Sequence, residues 1–222
     1  MRISNIPESA GFGAAARDDA QVLILGSLPG RESLQRGEYY AHPRNAFWPL
    51  MERLFGASPD QPYADRIRRL TESGIALWDV CASGCRPGSL DSEISAVIPN
   101  DLSTFLGSHS RVKLICFNGV EAAKIYRRRV LPDLAPHFAE IRREVLPSTS
   151  PAHAAMPFEE KLGRWREILD FALRAKPALE CGSSSYRLPP LSHAAIAKER
   201  EKRYLVLPHS KALRAGLNHD LF

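Results

Sequence analysis

Hydrophobic positions along the chain fall into two alternating kinds of run. Short, nearly unbroken apolar stretches at residues 21–25 (QVLIL), 75–80 (IALWDV) and 112–117 (VKLICF) have the length of strands covered on both faces. Residues 140–146 (EIRREVL) form a weaker fourth, more polar and suited to a sheet edge. Between them apolar residues recur at helical spacing: Phe47, Leu50, Met51, Leu54 and Phe55 fall at i, i+3, i+4, i+7 and i+8. Further helices are predicted over residues 65–73, stopped by Gly74, and over 120–130, ending in a basic run before Pro132. A last one is predicted over 157–175, with Pro157 at its start and Pro177 just past its end. Strands alternating with helices predict an α/β fold of three layers, α/β/α, around a central, mainly parallel four-stranded sheet. Ligands bind such sheets at the carboxyl ends of the strands. That rule selects the loops at 26–30, 79–87, 118–119 and 147–153.

With 222 residues, 44% hydrophobic and 25% charged, the chain can bury a core without disulfide or metal support. No apolar run approaches the ~20 residues of a membrane helix. The first twenty residues are punctuated by charges and hold no secretory h-region, so a cytoplasmic protein that does not engage membranes is expected. Cys81 and Cys85 form C-x3-C, while Cys116 and Cys181 stand apart, and no histidine cluster accompanies them. Reduced thiols fit that spacing better than a metal site, and neither metal nor cofactor is expected.

Charge divides the chain. Residues 1–175 hold 22 Lys+Arg against 21 Asp+Glu, and residues 176–222 hold 8 against 4, so +4 of the net +5 lies in the tail. This predicts a domain over 1–176 and a basic extension over 177–222, joined by a Pro/Ser-rich linker and bearing a short helix from Ser192 to about Arg203. A basic arm for a polyanion and a merely solvated tail both fit that charge.

Two motifs carry chemistry. Gly26-Ser27-Leu28-Pro29-Gly30 closes the first strand but lacks the second half of G-x-G-x-x-G and has no G-K-[ST]. It therefore supports neither a dinucleotide nor a P-loop site, though its glycines permit close approach of a flat ligand. Downstream, Tyr39-Tyr40-Ala41-His42-Pro43-Arg44-Asn45-Ala46-Phe47-Trp48-Pro49 crowds aromatic, amide and basic groups at a helix start. Alone, Asn45 reads as a helix cap and Tyr40 as core.

Together the two motifs resemble the uracil-DNA glycosylase superfamily over roughly residues 18–175. They are similar to the mismatch-specific uracil/thymine glycosylases, with G-[IV]-N-P-G and an aromatic-A-H-P-x-N-x-F-W stretch. They look closest to the hypoxanthine-DNA glycosylase branch, where the first motif reads G-S-x-P-G. Leu28 stands where mismatch-specific relatives carry a catalytic Asn, and in the hypoxanthine branch that task passes to the Asn matched here by Asn45. The second superfamily motif, [HN]-P-S-[GP]-L, is matched by Ser148-Thr149-Ser150-Pro151-Ala152, so Ser148 replaces His or Asn and Ala152 replaces the wedging Leu.

The resemblance implies a monofunctional DNA glycosylase of base excision repair, cutting the N-glycosidic bond of a flipped deaminated base, hypoxanthine first. A uracil or G·U/G·T mismatch glycosylase is the alternative within the class, and a non-catalytic nucleotide- or phosphate-binding module the alternative outside it. Monofunctional chemistry also fits the sequence, since no lysine that could form a Schiff base precedes Lys113. An enzyme acting on a base inside a duplex must extrude it and hold it by stacking and edge hydrogen bonds. In this reading Asn45 is catalytic, aligning a water against C1′, and Tyr40 gives the stacking face. Gly26 with the backbone N–H groups of Ser27 and Leu28 lies against the departing base. Ser148, Thr149 and Ser150 meet phosphates beside the lesion. Asp79, or failing it Asn118, reads the base edge, with capping of a turn as the plain alternative for each. His42 orients its loop rather than transferring a proton. The expected partner is double-stranded DNA carrying a damaged base, with single-stranded DNA second, bound by a monomer.

Overall fold

The computed structural model describes residues 8–174, apart from residue 89. Strands β1 (Glu8–Ala10) and β2 (Val22–Gly26) are followed by helices α1 (Arg31–Arg36), α2 (Phe47–Phe55) and α3 (Tyr63–Glu72). Strands β3 (Ile75–Asp79), β4 (Cys81–Cys85) and β5 (Ser95–Pro99) come next, then α4 (Leu102–Ser108), β6 (Leu114–Asn118), α5 (Val120–Arg129), β7 (Arg142–Leu146) and α6 (Phe158–Arg174).

The four apolar runs form one parallel sheet in the order β3-β2-β6-β7. Alternate residues feed opposite layers, as the period of two demands. Val22 and Ile24 face α2, α3 and α6 through Leu50, Met51, Leu70 and Trp165, while Leu23 and Leu25 face α4 and α5 through Leu102, Phe105 and Tyr126. All five residues of β2 are buried, which is why that strand reads as an unbroken apolar run. β7 lies at the edge, half-exposed, as its charges require.

Residues 79–87, expected as a loop, are instead mostly strand. β4 joins β1 and β5 in a separate antiparallel sheet of order β1-β4-β5. Its sequence, CASGC, has small residues and no alternation, and its pairing with β5 is irregular between Cys81 and Ser83 and again between Ser83 and Cys85. Chain partners rather than side-chain pattern make it a strand. α1 and α4 are likewise short elements without a periodic signature. Among the described residues no helix is long and apolar enough to cross a membrane. The extension 177–222, with Cys181 and the short helix expected from Ser192, lies outside the described residues.

Register aligns the sheet's carboxyl end. Gly26 pairs with Asp79 across β2 and β3, and Asn118 with Leu146 across β6 and β7. The chain leaves β2 toward β3 on one side and β6 toward β7 on the other. The crevice between β2 and β6 is therefore the point where strand order reverses, the place where such sheets hold ligands.

Candidate active site

The crevice is built around a missing side chain. A Cβ on Gly26 would collide with Asp79 Oδ1 and lie 3.2 Å from the Tyr40 hydroxyl, so only glycine lets both groups converge there. Asp79 is 3% exposed, its Oδ2 has no hydrogen-bond partner, and the buried Tyr40 hydroxyl has none either. Native interiors seldom leave two adjacent polar groups unsatisfied, and such groups point to a ligand that completes them. Burial, then the charge of Asp91, pushes the Asp79 carboxyl up to about 7, with Arg86 pulling the other way. Burial and then Asp79 also push the Tyr40 phenol upward, so it stays protonated.

Tyr40 itself is strained. Its φ of 55° lies in the left-handed region, rare for an aromatic residue. Its ring stacks on Phe47 at 3.9 Å and 19°, so one face of the ring is taken up by the core. The neighbouring Tyr39 is structural: its hydroxyl donates to the Gly13 carbonyl, and its carbonyl accepts the Trp48 indole N–H.

The turn at residues 26–30 has a specific polarity. The Gly26 carbonyl accepts from Val80 N–H at 2.9 Å and the Ser27 carbonyl from Cys81 N–H at 3.0 Å. In a trans peptide the N–H points opposite its carbonyl. The N–H groups of Ser27 and Leu28 therefore both face away from β3, toward the β6 side of the crevice. Two successive N–H groups on one side make an anion-binding concavity.

Asn45 sits at the start of α2, where its Oδ1 accepts the Phe47 N–H at 3.0 Å. The N-cap position by backbone geometry is Ala46, one residue later. Asn45 is therefore not the N-cap itself, but its bond to the Phe47 N–H fixes the amide, with one carbonyl lone pair occupied and a second left over. His42 closes the preceding turn, its carbonyl accepting from Asn45 N–H and its Nδ1 from Arg44 N–H. Both bonds tie His42 into its own loop.

The second motif is sewn to the first. Asn118 donates its Nδ2 to the Thr149 hydroxyl at 2.8 Å and accepts the Thr149 N–H at 2.9 Å, and the Thr149 carbonyl accepts from Ala46 N–H at 3.0 Å. Asn118 thereby links β6, residues 148–150 and the start of α2. These bonds use one of the amide's two N–H groups and one of its two carbonyl lone pairs, so Asn118 keeps a donor and an acceptor, as Asp79 keeps an oxygen that has no partner. Thr149, expected at a phosphate, is 1% exposed with its hydroxyl held by Asn118, so burial removes it from DNA and leaves Ser148 and Ser150 accessible. A Cβ on Gly119 would come within 2.9 Å of the Ser148 side chain, and Gly119 takes φ 102°, so glycine is required on both counts. Trp165 holds the other end of this loop, donating to the Pro147 carbonyl.

Arg86 and Asp91 join the site although nothing in their spacing announces them. Arg86 donates to the Leu28 and Pro29 carbonyls and to Asp91 Oδ1 at 2.9 Å, while Asp91 Oδ2 accepts the Ser27 hydroxyl at 2.6 Å. A lone Arg after a strand followed by an Asp in a turn carries no sequence signature. The only clue is a cation placed beside the Pro-Gly turn at Pro87-Gly88. Burial pushes the Cys81 and Cys116 thiols up to about 12, so both stay protonated near neutrality. Among the described residues, no cluster of His, Cys, Asp and Glu is arranged to hold a metal ion.

The molecule is a parallel α/β domain with a glycine-floored crevice at its strand-order reversal, where two buried polar groups have no protein partner. The chain belongs to the Uracil DNA glycosylase superfamily, whose family model matches residues 12–215, and it is a DNA glycosylase. That match runs well into the extension, beyond the residues 18–175 over which the motifs resemble the family. It is 37% identical over 131 residues to the hypoxanthine DNA glycosylase of Methanosarcina acetivorans, covering 55% of this chain and 83% of that protein. Against the hypoxanthine DNA glycosylase of Methanosarcina barkeri it is 35% identical over 115 residues, 51% of this chain and 73% of that one. A solution NMR structure of a Methanosarcina acetivorans protein assigned to the uracil DNA glycosylases superposes with a TM-score of 0.63 at 32% identity, covering 76% of this chain and 99% of that chain.

Proposed function

We propose that the chain excises hypoxanthine from deoxyinosine in duplex DNA, acting as a monofunctional, cofactor-independent monomer in the cytoplasm. The observation that carries this is the unpartnered Asp79 carboxylate oxygen beside the Tyr40 hydroxyl over Gly26. Hypoxanthine presents an N1–H donor and a 6-oxo acceptor, whereas adenine presents the reverse. An ionised Asp79 accepts from the first and repels the second, and a site that leaves buried groups unpaired rejects the wrong base strongly. The names of the two similar Methanosarcina proteins agree with this choice.

In this mechanism the flipped base lies on the outer face of Tyr40, where one stack is worth ~1–3 kcal/mol. The Asn45 carbonyl, oriented by its bond to Phe47 N–H, accepts from a water and aims it at C1′. As the C1′–N9 bond breaks, its electron pair leaves with the purine. The N–H groups of Ser27 and Leu28 face the resulting negative charge. The water oxygen bonds to C1′, and its proton ends on the base. Ser148 and Ser150 hold backbone phosphates beside the lesion.

Single-turnover assays on labelled duplexes carrying deoxyinosine, uracil, xanthine or a G·T pair test this directly. Deoxyinosine is expected to be cut fastest, and Asn45→Ala to slow its excision by at least about 100-fold. Faster excision of uracil or thymine would replace hypoxanthine as the substrate. An Asn45→Ala rate equal to wild type would remove Asn45 from the mechanism.

A further inference from the structure

We propose that Arg86, gripped by Asp91, is a positioning residue that holds the turn at residues 26–30 so that its Ser27 and Leu28 N–H groups face the departing base. The proposal rests on base excision at this crevice and assigns a role to two residues outside both motifs.

The geometry is that of a clamp. The Arg86 side chain is 8% exposed, a rare condition for a cation unless it is fully engaged. One guanidinium nitrogen reaches both the Leu28 carbonyl and Asp91, and another reaches the Pro29 carbonyl. The guanidinium lies against Gly30, where an added Cβ would sit 3.9 Å from Nη2. Asp91, in the 3₁₀ turn Asp91–Glu93 between β4 and β5, completes the ring by accepting from Ser27. Carbonyls at 26, 27, 28 and 29 are thus all anchored, the first two by the backbone N–H groups of Val80 and Cys81 and the last two by one side chain. A fork with fixed planar geometry can do this, and an ammonium cannot hold all three partners in the same plane.

The charges of the pair also act on Asp79. The other titratable groups that feel this carboxylate are Tyr39 and Tyr40 ahead of α2, Tyr63 opening α3, and Cys81 opening β4. Their phenols and thiol are all raised, so they stay neutral near neutral pH. Arg86 and Asp91 are therefore the charges that bias Asp79, in opposite directions. The same two residues that shape the turn place the pH at which the base reader ionises.

The test is single-turnover excision from a deoxyinosine duplex as a function of pH, with duplex binding and melting temperature measured alongside. Arg86→Met is expected to lower the maximal rate by up to about 100-fold with duplex affinity unchanged, because the clamp touches no phosphate. Its activity rise with pH should move to higher pH, since the cation that favours ionised Asp79 is gone. Asp91→Asn, which keeps an acceptor for Ser27, should move the rise to lower pH. Arg86→Lys keeps the charge, so its rise should stay in place while its rate falls. Opposite shifts from the two charge removals are not produced by general loosening of the fold. Wild-type rates and unmoved profiles in Arg86→Met and Asp91→Asn would overturn the proposal. Should Arg86→Met melt out, Asp91→Asn decides alone, an unmoved rise counting against it. A wild-type protein inactive on every lesion would instead overturn the functional reading.

Discussion

A buried carboxylate with an unpartnered oxygen lowers stability whenever it ionises. Asp79 binds its proton more tightly folded than unfolded, its carboxyl rising from 3.8 to about 7. That contribution to stability is fully present below the unfolded value and is lost as pH rises through the folded one. Asp79→Asn should therefore raise the melting temperature above pH ~7, and the gain should vanish toward pH ~4. On activity the same change should act in the opposite sense, narrowing the preference for hypoxanthine over adenine and flattening the pH dependence near 7 in single-turnover assays. Selectivity intact in that variant would place base reading elsewhere. Gly26→Ala is expected to be harsher, because its methyl would displace the Asp79 carboxylate itself. Loss of excision with duplex binding retained is the outcome to look for.

The elements divide sharply by how much of them the amino acids announce. β2, β3 and β6 are plain because sheet burial on both faces turns a strand into an apolar run, and α2 because its inner face repeats at 3.6 residues. β4 is not, because Cys81, Ala82, Ser83, Gly84 and Cys85 owe their conformation to the strands beside them. The site follows the same division. Asn45, Tyr40 and Asp79 are legible from motif and strand end, but the roles of Asn118 and Thr149 depend on a hydrogen bond between residues 31 apart in sequence. Arg86 is silent for a similar reason: its partners are two carbonyls and a carboxylate, none of which a pattern records. The Asn118–Thr149 link carries its own expectation. Thr149→Val leaves a buried amide donor without its acceptor and should cost about 1–3 kcal/mol in denaturant unfolding. Excision should slow as well, since the Thr149 carbonyl anchors Ala46 beside Asn45.

At the scale of the molecule, residues 1–175 are nearly neutral and the excess charge belongs to residues 176–222. Truncation after Lys176 is expected to leave a folded, active enzyme that binds DNA more weakly. For every phosphate that the shortened chain no longer neutralises, the log–log salt slope should fall by about 0.9. A lower melting temperature with an unchanged slope would show instead that the extension contributes to stability and not to DNA binding. In the proposed binding mode, the unpartnered Asp79 oxygen over Gly26 also acts after the bond is cut. In that mode, excised purine keeps both the N1–H that the Asp79 carboxylate accepts and the face that stacks on Tyr40, so cleavage removes neither attraction to the crevice. The enzyme should then be limited by product departure, with a rapid first turnover and slower later ones. Free hypoxanthine should compete with damaged DNA and raise the melting temperature by mass action, and free adenine should do neither.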